Sequence, residues 1–168
     1  MKANTLRLAY GLFEFTKRYC FVLLGLGIVL VLFTNRYQLA LNMTESLPGT
    51  VFLIDKKDRE VSRGRYVAFT WQGAAPIPNG ITVIKRVAGV AEDKVSVTNR
   101  SVFINGQKVG TAKTHSRTGD PLLAISDSII PFGYFYASAD HPDSFDSRYA
   151  KPGLISTSAV KGWAILLW

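Results

Sequence analysis

Two hydrophobicity regimes divide the chain close to residue 35. Residues 19–34 (YCFVLLGLGIVLVLFT) form one apolar run without a charged side chain. As a helix rising ~1.5 Å per residue the run spans about 24 Å, slightly short of a ~30 Å hydrocarbon core. Lys17, Arg18 and Arg36 flank it and can snorkel to headgroups, while Tyr19 and Tyr37 suit the two interfaces. The exit reads Thr34-Asn35-Arg36-Tyr37-Gln38-Leu39, with no small-x-small site. The pattern therefore predicts an uncleaved single span rather than a removable signal. Residues 6–15 are expected to lie as a short amphipathic helix at the inner leaflet.

Beyond the run, apolar residues come in short alternating groups, the period of strands with one buried face. Expected strands are 51–54, 65–71, 81–90, 94–98, 101–104, 134–138 and 163–168. Each is rich in Val, Ile, Phe, Tyr or Trp and bounded by Gly, Pro, Asn or Asp. Asn105-Gly106 predicts a tight hairpin turn, since both residues tolerate positive φ. A break is expected around Pro76, Pro78, Asn79 and Gly80. No sustained helical period follows Thr34, so the pattern predicts one mostly antiparallel β domain on a stalk of about ten residues.

Charge narrows the partners. The chain holds 20 Lys+Arg against 12 Asp+Glu, a net charge of +8. Lys2, Arg7, Lys17 and Arg18 against Glu14 place +3 of this before the apolar run. The remaining +5 is thinly spread, which argues against nucleic acid, whose binders concentrate basic residues on one face. It suits work beside an anionic inner-membrane surface. The basic excess before the span orients the N-terminus to the cytoplasm. The single cysteine, Cys20, excludes an intrachain disulfide and a zinc knuckle and reads as a small buried hydrophobe.

The candidate chemistry lies in two segments. Asn42-Met43-Thr44-Glu45-Ser46-Leu47-Pro48-Gly49-Thr50 begins a few residues past the apolar run. Pro48 presets φ and Gly49 accepts positive φ, so a turn here presents Ser46. In the segment 81–90, alternation places Ile81, Val83, Lys85 and Val87 on one face and Arg86 on the other. Lys85 thus interrupts an apolar face, where desolvation disfavours the ammonium form. A neutral amine can accept the proton of a serine hydroxyl. The competing reading is a lysine whose stem packs while its head escapes at a sheet edge.

These segments, with a third, resemble the signal peptidase family of serine-lysine proteases, and most closely its conjugative-transfer (TraF-like) branch. The blocks are Thr44-Glu45-Ser46-Leu47-Pro48, then Ile84-Lys85-Arg86-Val87-Ala88-Gly89-Val90, then Asp140-His141-Pro142-Asp143-Ser144-Phe145-Asp146-Ser147-Arg148-Tyr149. The resemblance implies a signal-peptidase-like antiparallel β fold behind a single N-terminal transmembrane helix. It implies Ser46 as nucleophile, Lys85 as general base and Asp146 as a functionally important carboxylate. The Ser46 amide and the Thr44 hydroxyl would hold the oxyanion. Ser144 would position the Lys85 amine, and Arg148 would pair with Asp146. If the third block is extended, Ser144, Asp146 and Arg148 share one face. An Asp-Arg clamp without a part in catalysis is the alternative for that pair.

The chain departs from the housekeeping pattern in three places. Pro48 follows Leu47 directly, which is typical of the conjugative branch. The third block begins Ala139-Asp140 and is one residue shorter, and Lys151 stands where glycine often follows. The expected organisation is a cytoplasmic segment 1–18, an inner-membrane anchor 19–35 and a periplasmic β-rich catalytic domain 36–168. The expected function is processing of a pilin precursor, by hydrolysis or by the cyclisation that the conjugative branch can also carry out, without cofactor or metal. Alternatives are a general leader peptidase, or a non-enzymatic bitopic scaffold of a pilus or secretion machine. A Ser46, His141 and Asp146 triad is conceivable but leaves Lys85 unexplained. A metal site at Asp140, His141 and Asp143 is disfavoured by Pro142.

Overall fold

The structure is a computed structural model that describes residues 2–44, 46–72 and 77–168. It falls into two units, Met1–Tyr37 and Gln38–Trp168. The first is one helix, α1 (Lys2–Arg36). It runs unbroken through residues 6–15, so the separate interfacial helix expected there is not formed. Nothing in that stretch breaks a helix: there is no proline before Pro48. Phe13–Arg36 is long and apolar enough to cross a membrane. Cys20 is exposed on this helix, not buried as expected.

Among the described residues, the second unit holds eleven strands in two sheets. They are β1 (Tyr37–Leu41), β2 (Val51–Asp55), β3 (Tyr66–Thr70), β4 (Thr82–Gly89), β5 (Lys94–Thr98) and β6 (Ser101–Ile104). Then follow β7 (Gln107–Thr111), β8 (Ser128–Ile129), β9 (Tyr134–Ser138), β10 (Ile155–Ser156) and β11 (Val160–Leu166). The large sheet has the order β1-β2-β11-β3-β4-β9-β10, and the small one β7-β6-β5-β8. The chain after the apolar run is therefore not a free stalk, since Tyr37–Leu41 forms an edge strand of the large sheet. Pro76 lies outside the described residues; Gly80 has φ 86° as a turn requires.

The large sheet buries side chains on both of its faces. Val67, Phe69, Trp71, Val87, Phe135 and Phe145 make one cluster, with Phe69 and Phe135 edge to face. A second, of Leu47, Phe52, Ile54, Ala68, Ala139 and Ala164, lies on the opposite side of β3, because Val67 and Ala68 alternate. The small sheet packs through Val95, Val102, Ile104, Ile130 and Tyr136. Its β6–β7 turn is Asn105-Gly106 with φ 50° and 83°, the left-handed pair of a two-residue hairpin. The β5–β6 turn, Asn99-Arg100, also has positive φ, 46° and 64°. Arg100 is held there by its guanidinium, whose Nε donates to Ala112 O (2.9 Å) and Nη2 to Leu122 O (2.8 Å). That pins the long loop leading toward the cleft described next.

Candidate active site

The turn that carries Ser46 is tied at both ends. Leu47, 5% exposed, buries its side chain in the second core cluster immediately beside Ser46. Gly49 has φ 89°, and a Cβ there would lie 2.2 Å from Leu166 Cδ1. Asn42 Nδ2 donates to Leu47 O (3.2 Å) and Gly49 O (3.1 Å). Its Oδ1 accepts from Thr44 N (3.2 Å) and Thr44 Oγ1 (3.0 Å). Thr44 Oγ1 lies 2.5 Å from Ser46 Oγ. The Ser46 side chain is half-buried, and its carbonyl accepts a long bond from His141 N (3.5 Å).

Lys85 is delivered from the other side by strand register. It lies opposite Val67 of β3 in an antiparallel ladder, one step before Val87 opposite Ala137 of β9. Alternation along β4 puts Lys85 on the side of Val83 and Val87, as the sequence implied, and the side chain is only 4% exposed. Burial pushes the amine's pKa below its usual 10.5; the nearby Asp146 charge opposes that and Arg148 reinforces it. The head does not escape to solvent. Arg86, on the opposite side, pairs with Asp140 at 3.1 Å.

The third block is not extended. It is a run of turns folded back on β9, with Ser147 N donating to Ala137 O and Ser147 Oγ accepting from Ala137 N, each 3.0 Å. The expectation that alternation aligns its side chains fails because successive turns, not a ladder, satisfy its backbone. The Asp146–Arg148 pair forms nonetheless. Both are nearly fully buried, and Arg148 Nε and Nη2 reach the two Asp146 oxygens at 2.8 Å each. Ala139 N (2.9 Å) and Arg148 N (3.1 Å) also donate to the carboxylate. Burial would lower the Arg148 pKa, but Asp146 outweighs it and raises it. Ser144 Oγ is buried without a hydrogen-bond partner, so no bond joins it to the Lys85 amine.

One cleft of about 850 Å³ gathers Thr44, Ser46, Lys85 and Ser144 on its wall. Strand β1, through Leu39 and Leu41, and the chain entering β4, through Ile81 and Val83, contribute much of the apolar lining. Asp146 and Arg148 do not line the cleft, but both charges act on the Lys85 amine. His141 also lines it, but Asp143 N donates to its Nδ1 (3.1 Å). An imidazole accepting at Nδ1 carries its proton on Nε2 and cannot take the serine proton there. Asp143 is ion-paired to Lys113 and Arg117 (3.0 Å), and its pKa falls to about 2, chiefly through those bonds. With Asp140 on Arg86, the two acidic groups of the conceivable metal site are both engaged by cations.

Residues 12–168 match the family described as "Signal peptidase, peptidase S26". The chain belongs to the signal peptidase family. Members of this family are serine endopeptidases that act on secreted precursors, and with the apolar helix this marks the chain as a membrane serine peptidase. A crystal structure of a signal peptidase I from Enterococcus faecalis V583 is 21% identical, with 63% of this chain and 97% of that one covered and a TM-score of 0.41. A search of curated proteins found no match. Within a signal peptidase frame, sequence reasoning missed Asn42 and treated Leu47 only as spacing. A signal for both was present: an Asx residue two before a threonine starts a turn, and a lone leucine beside a Pro-Gly turn is a natural plug for the core.

Proposed function

We propose that this chain is a periplasm-facing serine endopeptidase of the bacterial inner membrane in which Ser46 and Lys85 form a catalytic dyad. The observation that carries the reading is a lysine 4% exposed on the wall of the cleft that also holds Ser46. A buried amine with a lowered pKa has little other use, since burial of an unpaired lysine costs stability.

The proposed reaction follows from these groups. Ser46 Oγ attacks the scissile carbonyl carbon while its proton passes to Lys85 Nζ. The carbonyl π electrons move to oxygen, which the Ser46 amide and the Thr44 hydroxyl stabilise. The tetrahedral carbon then expels the amine, which takes the proton from the Lys85 ammonium. An ester to Ser46 remains. Water, deprotonated by Lys85, hydrolyses it, or the substrate's own amino terminus displaces Ser46 and closes a ring. Asp146 and Arg148 brace the wall behind the amine. Ser144, whose buried hydroxyl on the cleft wall has no hydrogen-bond partner, would accept from the ammonium as it forms.

The substrate we infer is a pilin precursor, supported by the Ser46-Leu47-Pro48 spacing that resembles the conjugative branch. The N-terminus faces the cytoplasm, supported by the basic excess before α1 ends. Intact-mass analysis of a pilin precursor and a secreted preprotein, each incubated with wild type and with Ser46→Ala, tests the reading. Wild type should shorten the pilin precursor, and a product about 18 Da lighter than the linear chain marks cyclisation, the mass of the water not added to the acyl ester. Shortening by Ser46→Ala at the wild-type rate defeats the serine assignment, and cleavage of the preprotein alone defeats the pilin assignment.

A further inference from the structure

Hydrogen positions around Ser46 follow from Asn42. Its side-chain amide faces two backbone carbonyls, Leu47 O at 3.2 Å and Gly49 O at 3.1 Å, so that end must be the NH₂ group. The other end is therefore the carbonyl oxygen, which only accepts, and it faces the Thr44 amide (3.2 Å) and hydroxyl (3.0 Å). The single hydroxyl proton of Thr44 is thus committed to Asn42 Oδ1. In the 2.5 Å contact between the two hydroxyls, Ser46 must then be the donor and Thr44 the acceptor. The Ser46 proton is then given to Thr44, in a chain that ends at Asn42. Asn42 is itself fixed, because its backbone N–H donates to Thr50 O (2.8 Å).

We propose that Asn42 is a positioning residue for catalysis: it sets the direction of the Ser46–Thr44 hydroxyl chain and parks the nucleophile's proton off the base until a substrate carbonyl claims the Thr44 hydroxyl. This rests on the dyad reading above. A carbonyl entering beside Ser46 gives Thr44 a second acceptor, which grows stronger as the oxygen gains charge in the transition state. Thr44 then swings its proton from Asn42 Oδ1 to that oxygen, and Ser46 turns its own proton to Lys85 Nζ. No bond other than hydrogen bonds changes in this step. Asn42 keeps Thr44 within a small rotation of the oxyanion position and, through Leu47 and Gly49, keeps the turn from unwinding.

A double-mutant cycle separates this role from simple support of the turn. The probe is a fluorogenic peptide carrying Ala-x-Ala before the cut, read with full-length protein in detergent. Asn42→Ala should lower kcat about 10–100-fold, as for loss of an aligned oxyanion donor or of precise placement, with KM within about threefold. Thr44→Val should show a loss of similar kind. Placing Asn42→Ala on Thr44→Val should cost less than about threefold more, because the residue it acts through is already gone. The same multiplicative loss in both backgrounds, or a change confined to KM, overturns the inference. Asn42→Asp keeps the acceptor but grips the Thr44 proton with a full charge. It should also lose kcat, and a wild-type kcat in this variant counts equally against the proposal. Ser46→Ala runs alongside: if it is inert while the cycle is additive, only the Asn42 role fails, and if it cleaves normally, the serine-peptidase reading fails with it.

Discussion

The nucleophile turn and the lysine pocket face the same cleft but are built by opposite means. Ser46 sits half-buried in a turn held by side-chain-to-backbone bonds, with exposed Thr44 and Pro48 on either side. Lys85 sits on an interior strand of the large sheet, between β3 and β9, fixed by ladder register and nearly without solvent. The difference matches what the proposed dyad asks of each group. A nucleophile has to be reached by a polypeptide, which a turn at the mouth of a cleft allows. An amine base has to lose its proton near neutral pH, which requires the low dielectric of a core. A turn could not desolvate a lysine, and a strand interior could not present a serine.

Breaking either half of the proposed dyad should have the largest effect. Ser46→Ala and Lys85→Met are each expected to lower kcat/KM by roughly 10⁴-fold or more, since the two act as one unit. Circular dichroism should remain that of the wild type, and the double variant should be little worse than either single one. Additive losses would mean the two regions do not cooperate.

Next in size is the brace behind the amine. Arg148→Met leaves Asp146 buried with a charge and no cation, which should cost about 3–5 kcal/mol in urea unfolding. It should also move activity. With Arg148 gone, Asp146 attracts a proton to Lys85, so the acid limb of the kcat/KM profile should shift to higher pH. A stability loss with an unmoved profile would reduce Arg148 to a clamp.

A subtler effect concerns Lys85 and stability. Its folded pKa lies below the unfolded value of 10.5. Between the two, the unfolded chain holds more protons, so stability rises with pH across that window. Below the window the full penalty of charging the amine is present. Lys85→Met should therefore be more stable than wild type at neutral pH, and the gap should narrow as pH approaches 10.5. Thermal melts at several pH values read this directly. The smallest effect is expected from His115→Ala and His141→Ala, which should each retain activity within a few-fold, because His141 offers Nε2–H rather than a base to the cleft.

The two regions also differed in how far the sequence revealed them. Strands of the interior announce themselves by alternation, and the segments at 51–55, 66–70, 82–89, 94–98, 101–104 and 134–138 lie within a residue or two of their expected places. The same period put Lys85 on the buried face. Strands β1, β7, β8 and β10 were missed because they are edge strands or two residues long, with mixed burial that leaves no pattern to read. The third block misled for a related reason. An extended block would have aligned Ser144, Asp146 and Arg148 on one face, but Pro142 and the paired Asp146 and Arg148 favour turns. The hydrogen-bond frame around Asn42 could not be read at all, because it depends on which end of one amide faces which neighbour.

The most direct test of the account is the pH dependence of kcat/KM for the detergent-solubilised enzyme on the Ala-x-Ala peptide. An uncharged Lys85 serving as base predicts activity rising through one ionisation well below 10.5 and lost in Lys85→Met. An acid limb that persists in Lys85→Met, or activity that climbs only near 10.5, would contradict it.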